Sequence, residues 1–401
     1  MGIRRDVRRR ARCSSRPGQR SLRTGDRACL AGDPGPRRAS ASRARDRLPP
    51  RTRATTCRGA RSAGRSRPPY IARAKCAYDR GRGASEVIPL DAIRAARQRI
   101  ADAAIRTPLV RLEVDAPCEI WLKLENLQPI GSFKLRGAAN RMLSAPRNEL
   151  ARGVWTASAG NMAQGVAYMA RQLGIACSVV IPDTAPQAKR AAIERLGGRL
   201  VPVPFAEWFE TFRTRKRAGI EGLFIHAFSD DAVMAGNGTI GLEILEDLDG
   251  VDAIVAPFGG GGLSCGIASA IRQLRPRAHV YAAEVDTSAP FAAALAAGAP
   301  VTITHHPTFV DGIGGPFVFP EMFALARQLL QGSLVSSIDD VASAVRLLAA
   351  RSRIVAEGAG GASVAAALSG KAGTGKVVCV VSGGNIDSTK LAAILAGEVP
   401  N

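Results

Sequence analysis

Two features of this 401-residue chain carry chemistry: the lysine in Ser132-Phe133-Lys134-Leu135-Arg136-Gly137, and four consecutive glycines, Gly259 to Gly262, followed by Leu263. A lysine amine forms an imine with a carbonyl compound. The glycines lie between a strand expected to end at Pro257 and a helix expected to open at Leu263. They let backbone N–H groups turn inward without side-chain obstruction, and the helix dipole adds positive potential, which suits a phosphate.

Two weaker loops join them. Ser158-Ala159-Gly160-Asn161 opens a helix with small polar residues and free N–H groups suited to a carboxylate, although alone it reads better as an ordinary N-cap. Ser382-Gly383-Gly384-Asn385 follows the last expected strand and alone reads as a turn. Taken with the lysine and the phosphate loop, the set calls for a small molecule with both a carbonyl and a phosphate, and pyridoxal phosphate has both handles.

Two decoys fail on spacing. A dinucleotide fingerprint drawn from Gly259 ends on Ser264, and from Gly260 on Cys265, although Glu284 stands where a ribose-binding acid would lie. Gly370 to Lys376 satisfies the first part of a nucleotide P-loop but puts Val377 where Ser or Thr must meet magnesium.

Periodicity predicts the elements that position these loops. A helix spans Asp91 to Ala104, and the alternating Glu119 to Leu124 reads as a strand that delivers the chain to Lys134. From Gly153 strand, loop and helix repeat: strands at Val154, Cys177 and Arg199, with helices at Met162 to Leu173, Pro186 to Leu196 and Ala206 to Ala218. Ala235-Gly236-Asn237-Gly238 reads as a glycine-rich link to a second such run. That run has helices at Ile240 to Leu248, Leu263 to Leu274, Phe291 to Ala297, Glu321 to Leu330, Ile338 to Ala350, Gly361 to Leu368 and Thr389 to Ala396. Its strands are Ala253 to Pro257, Val280 to Ala283 and Lys376 to Val381. This alternation predicts parallel sheets with helices on their faces and ligands at the strand C-termini.

Charge is unevenly shared. Residues 1 to 85 hold 25 Lys and Arg against 5 Asp, while the remainder holds 30 against 29 acids. The net charge of +21 therefore belongs to an extension too poor in apolar residues to fold, and says little about the body. The extension reads as sequence without function, as an organelle-targeting segment, or, least well for want of aromatics, as a nucleic-acid arm. The eight cysteines form no C-x-x-C or Cys/His cluster, which predicts reduced thiols, no metal and a cytoplasmic protein. No apolar run reaches the roughly 18 residues of a membrane helix.

Glu125-Asn126-Leu127-Gln128, Gly131 to Ala138, Ser158-Ala159-Gly160-Asn161-Met162-Ala163-Gln164-Gly165, the tetraglycine loop and Ser382-Gly383-Gly384-Asn385 together resemble, in order, the threonine/serine dehydratase family of fold-type II pyridoxal-phosphate enzymes. The resemblance implies two doubly wound α/β lobes of the tryptophan synthase β-like kind. Residues 86–152 and 233–401 would form a large cofactor-binding lobe and 153–232 a small lobe, after a disordered extension at 1–85. It implies an ammonia-lyase that dehydrates and deaminates L-threonine, L-serine or both to 2-oxobutanoate or pyruvate. By the same resemblance Lys134 would carry the cofactor, Phe133 would pack beside it and Asn161 would hydrogen-bond the ring hydroxyl. Gly259, Gly260, Gly261, Gly262 and Leu263 would cradle the phosphate and Ser382 would face the pyridine nitrogen. Ser158, Ala159, Gly160 and Asn161 would bind the substrate carboxylate.

Ala159 replaces the serine that acts as opposite-face acid and base in related serine racemases, which disfavours racemisation. Met162 stands where many relatives have histidine, and reads either as a core residue or as a determinant of substrate size. Pro290 replaces a carboxylate of the metal site that follows Glu284 in some relatives, so no metal is expected. After Ser382 only a short helix remains, so the regulatory domain of biosynthetic threonine dehydratases is not expected. Partners reduce to a small hydroxy-amino acid and, as in many relatives, a second copy of the chain, with no membrane and no nucleic acid. β-Replacement, threonine synthesis and serine racemisation are the alternative reactions.

Overall fold

The alternation of strands and helices produces two sheets. The computed structural model describes residues 86–400; the extension of residues 1–85, and the disorder expected of it, lie outside the described residues. The chain opens with α1 (Leu90–Arg99), the antiparallel pair β1 (Leu109–Arg111) and β2 (Glu119–Lys123), α2 (Lys134–Leu143) and the short α3 (Arg147–Leu150). A four-stranded unit follows: β3 (Val154–Ala157), α4 (Asn161–Leu173), β4 (Cys177–Pro182), α5 (Gln187–Arg195), β5 (Arg199–Val203), α6 (Phe205–Thr214) and β6 (Leu223–Phe224). Its strands are parallel, in the order β5-β4-β3-β6.

The remaining elements are α7 (Asp231–Asp247), β7 (Val251–Pro257), α8 (Gly262–Leu274), β8 (His279–Val285), α9 (Pro290–Ala297), α10 (Pro320–Leu329), β9 (Gly332–Ser336), α11 (Ile338–Leu347), α12 (Gly358–Leu368), β10 (Lys376–Val380) and α13 (Ser388–Ala396). They complete a six-stranded sheet in the order β1-β2-β10-β7-β8-β9, parallel except at β1. Strand β7 shows why it is covered on both faces. Ile254 and Ala256 join the cluster that holds Ile267 and Ile271 of α8, whereas Ala253 and Val255 join Val341, Val345 and Val364 of α11 and α12. Both alternating sets are apolar, as a strand between two helical layers requires, and each fully buried Val or Ile adds about 1.5–3 kcal/mol.

Three readings of local sequence need correction. Ala235 to Gly238 is not a link: it lies inside α7, which is capped by Asp230, whose side chain accepts from the Ala232 and Val233 amides. The glycines serve close helix packing, since a Cβ on Gly236 would stand 2.4 Å from the Arg136 carbonyl oxygen of α2. The short strands β6 and β9 also went unread, because each is polar or half-buried and lies at a sheet edge. The helix expected to run to Ala218 stops at Thr214, where Arg215 takes φ +60°.

The topology positions the loops. Strands β2, β10 and β7 are neighbours and parallel, so the chain leaves all three at the same edge, toward Lys134, Ser382 and the tetraglycine loop respectively. Among the described residues no helix is long and apolar enough to cross a membrane.

Candidate active site

Lys134 is the first residue of α2. Its Nζ donates to the Ala227 carbonyl at 2.8 Å and lies 5.0 Å from the centroid of the Phe133 ring. Burial lowers its pKa to about 8, with the Glu357 carboxylate pulling weakly the other way. Phe133 is itself buried, and its amide donates to the Ser382 carbonyl at 3.0 Å, so the loop after β10 is stitched to the residue before the lysine. Ser132 pairs with Gly383 in an isolated antiparallel bridge, and its buried Oγ has no hydrogen-bond partner among the described residues.

The tetraglycine loop opens α8. Gly261 takes φ +87°, which L side chains rarely adopt, and helix α8 begins at Gly262 with no side-chain cap. Gly260 is required for a different reason: a Cβ there would lie 2.1 Å from the Phe228 ring. The result is a run of backbone amides at a helix N-terminus, laid on an aromatic ring and free of side chains, with Leu263 buried behind it.

The loop after β3 is half-exposed where β3 itself is buried. Ser158 Oγ accepts from the Gly160 amide at 3.2 Å, and α4 starts at Asn161 without a side-chain cap. A Cβ on Gly160 would meet nothing within 4 Å, so space is open in front of these amides beside Ala159. Asn161 reaches across from the small sheet: its Nδ2 donates to both carboxylate oxygens of Glu357, at 2.9 and 3.1 Å, and its Oδ1 accepts from Asn385 at 2.8 Å. Met162 is 1% exposed in the apolar cluster of Ile130, Leu135 and Val166, which makes it a core residue.

Glu357 and the segment His226 to Phe228 belong to this site and were not read from the sequence. Glu357 is buried just before α12, and burial pushes its pKa up to about 7, while the Asn161 hydrogen bonds act in the opposite direction. A lone acid in Ala356-Glu357-Gly358-Ala359-Gly360 is the one local signal that could have flagged it. Glu284, by contrast, is committed to structure. Its oxygens accept from the Phe291 and Ala292 amides of α9 at 2.9 and 2.8 Å and from Ser333 Oγ at 2.6 Å. Its carboxylate caps a helix opened by Pro290.

An amine of lowered pKa, a side-chain-free cradle at a helix N-terminus and an unpartnered buried hydroxyl fit a phosphorylated aldehyde. Comparison with known proteins gives the same answer. The chain is 37% identical over 316 residues to the L-threonine ammonia-lyase of Thermotoga maritima, covering 77% of this chain and 78% of that protein. Among solved structures it is similar to the processed form of threonine deaminase isoform 2 from Solanum lycopersicum, with TM-score 0.71 and 33% identity over 77% of this chain and 87% of that one. It is also similar to maize serine racemase, with TM-score 0.73 and 29% identity over 78% and 98%. The profile of the pyridoxal-phosphate dependent enzymes matches residues 100–383, and the chain belongs to that family.

Proposed function

We propose that the protein is an ammonia-lyase that eliminates water from L-threonine, L-serine or both, the resulting enamine tautomerising and taking water back as it releases ammonia and 2-oxobutanoate or pyruvate, with Lys134 as cofactor carrier and base. The observation that carries this reading is the state of the Lys134 amine. It is bonded to a neutral carbonyl, makes no ion pair among the described residues, and titrates at about 8. The unprotonated fraction near neutral pH is therefore far larger than for an ordinary lysine, which suits a general base. Similarity to proteins named L-threonine ammonia-lyase and threonine deaminase supplies the substrate class.

Gly259 to Gly262 and Leu263 would hold the phosphate, Phe133 would flank the ring, Asn161 would bind its hydroxyl and Ser382 would face its nitrogen. When bound, pyridoxal phosphate supplies an electron sink that acidifies the α-hydrogen of an amino acid joined to it. The loop Ser158 to Asn161, at the N-terminus of α4, would bind the substrate carboxylate and so aim the α-hydrogen at Lys134. Lys134 takes that proton and can return it to the departing β-hydroxyl. Ser382 contributes a neutral hydroxyl, which does not hold a proton on the ring nitrogen as a carboxylate would and so favours elimination over reactions through a long-lived carbanion. On the opposite face Ala159 would offer a methyl group where related racemases carry a serine, so this position has no hydroxyl to return a proton. This disfavours the racemase reading. Residues 153–232, as the small lobe, carry the carboxylate loop to the cofactor. The four free, buried cysteines of the described residues suit a reducing compartment such as the cytoplasm.

The test is a substrate panel of L-threonine, L-serine and D-serine with 2-oxo acid and ammonia as readouts. Stoichiometric 2-oxobutanoate and ammonia from L-threonine are expected. Formation of D-serine faster than pyruvate, or product only when a thiol or homoserine phosphate is supplied, would replace this reading with racemisation, β-replacement or threonine synthesis.

A further inference from the structure

His226 stands between β6 and α7, 1% exposed. Its Nδ1 accepts from the backbone amides of Ser229 at 2.9 Å and Phe228 at 3.3 Å. That nitrogen is therefore unprotonated and the neutral ring carries its hydrogen on Nε2, which has no partner among the described residues. The ring stacks on Phe212, centroids 4.9 Å apart at 28°, and meets Phe228 at 4.6 Å and 87°. Burial holds its pKa well below the usual histidine value, and the nearby Arg215 and Lys134 cations reinforce this, so the acceptor at Nδ1 persists through the physiological range.

Both hydrogen bonds fold residues 226–229 back on the ring, and the turn has two working products. The Ala227 carbonyl meets Lys134 Nζ, and Phe228 lies under Gly260 and Gly262 of the tetraglycine loop. One side chain thus sets an acceptor for the amine and the floor of the phosphate cradle. We propose that His226 is a positioning residue of the active site: through Nδ1 it shapes the 226–229 turn so that Ala227 directs the Lys134 amine and Phe228 supports the tetraglycine loop. With one N–H held by a carbonyl, rotation about Cε–Nζ is restricted, and the remaining valences of the amine keep a fixed direction toward the space it must attack.

This inference rests on the role of Lys134 proposed above, and a pair of substitutions separates the acceptor from the ring. His226→Asn places an oxygen on Cγ, where Nδ1 is attached, and discards the aromatic stack. His226→Phe keeps the stack and discards the acceptor. The readout is the rate and affinity with which apoprotein develops the visible absorbance of lysine-bound pyridoxal phosphate between pH 6 and 9, together with turnover per bound cofactor. H226F should lose on the order of tenfold to a hundredfold in both. Its pH profile should move to lower pH, because an amine that loses its carbonyl acceptor gives up its proton more readily; Glu357, the other charged group acting on Lys134, is unchanged. H226N should recover the larger part of the wild-type rate and the wild-type profile.

The reverse ranking, H226F normal and H226N impaired, would reduce His226 to a packing residue and overturn the proposal. If either variant fails to fold, the wild-type protein still decides. Its ring nitrogens observed by NMR should show Nδ1 unprotonated and Nε2 protonated with no titration from pH 5.5 to 8, and the opposite tautomer overturns the proposal. Cofactor condensation and ring NMR need no amino-acid substrate, so a wild type that binds the cofactor but ignores threonine breaks the substrate reading alone.

Discussion

Lys134 and Arg136 lie two residues apart on α2, the first half-buried and the second fully buried, and they are handled in opposite ways. Arg136 is 1% exposed inside a complete network. It donates to Glu125 at 2.8 and 2.9 Å, to Glu243 at 2.6 and 2.9 Å, to Thr239 at 3.0 Å and to the Ile105 carbonyl at 3.2 Å. Lys123, also buried, completes the group through Glu243 at 2.7 Å and the Thr107 carbonyl at 2.6 Å. Two cations face two carboxylates, and burial, which alone would disfavour the charges, is outweighed for Arg136 by Glu125 and Glu243. Lys134 has one neutral acceptor, and burial prevails. A buried charge with every partner supplied is fixed in its state, whereas one left short of partners becomes titratable in the range where proton transfer is useful.

Removing each cation should therefore have opposite signatures. Lys134→Ala should abolish the visible absorbance with pyridoxal phosphate and lower turnover by about 10,000-fold, the upper range for a lost general base. The thermal midpoint of its apoprotein should stay the same or rise, because an under-compensated, half-buried cation has gone. A large loss of apoprotein stability would show that Lys134 also serves the fold and would erase the contrast.

Arg136→Met should show the reverse. It keeps an unbranched apolar stem but leaves Glu125 and Glu243 facing each other without their shared cation, which should cost about 3–5 kcal/mol. Urea denaturation of the apoprotein would measure this, and whatever protein remains folded should still turn yellow with the cofactor. A midpoint near that of the wild type would mean that the network contributes little.

Glu357 is the acidic counterpart of Lys134, a carboxylate given amide donors but no cation at contact distance among the described residues. Its folded pKa of about 7 exceeds the unfolded value near 4.5. Between these values the folded protein holds a proton that the unfolded chain has released. The contribution is complete below about 4.5 and is lost as pH rises through about 7. Glu357→Gln, which cannot ionise, should gain stability relative to wild type between pH 5 and pH 8, by a few kcal/mol at most. Lys134, with a pKa of about 8, titrates in both proteins, so the quantity read is the difference between the two curves. Parallel stability curves for the two proteins would show that Glu357 is already ionised at pH 5.

The parts of this site that were legible in the sequence are those that local chemistry dictates. Lys134, Gly259 to Gly262, Ser158 to Asn161 and Ser382 each follow a strand, and strand-then-glycine or strand-then-small-polar is a local pattern. Glu357, His226 and Ala227 join through contacts between segments 93 to 196 residues apart, which leave no periodic trace. The glycines of α7 mislead for the same reason. Gly236 has the propensity of a loop residue, and only the close passage of α2 explains why a helix keeps it. Glu125 and Arg136 each stand in a motif that the sequence displays, but their pairing needs the fold that brings Glu243 beside them.

The weakest test of the contrast uses a third charge cluster, continuous with the buried network. Asp247 lies 3.6 Å from Lys123 and also pairs with Arg106, and Arg106 and Arg97 both reach Glu246. Arg106, Arg97 and Glu246 remain 44–48% exposed in their side chains. Water and ions compete for these groups, and long side chains lose rotamer freedom on pairing, so Arg106→Ala should cost less than about 1 kcal/mol. The difference should vanish at about 1 M salt, where screening acts within a few ångström. The loss in Arg136→Met should persist there, because counterions do not reach a dry network. If Arg106→Ala instead matched Arg136→Met and resisted salt, Asp247 would have to transmit the exposed charge inward. The boundary between structural and solvated charge would then lie outside Lys123 rather than at it.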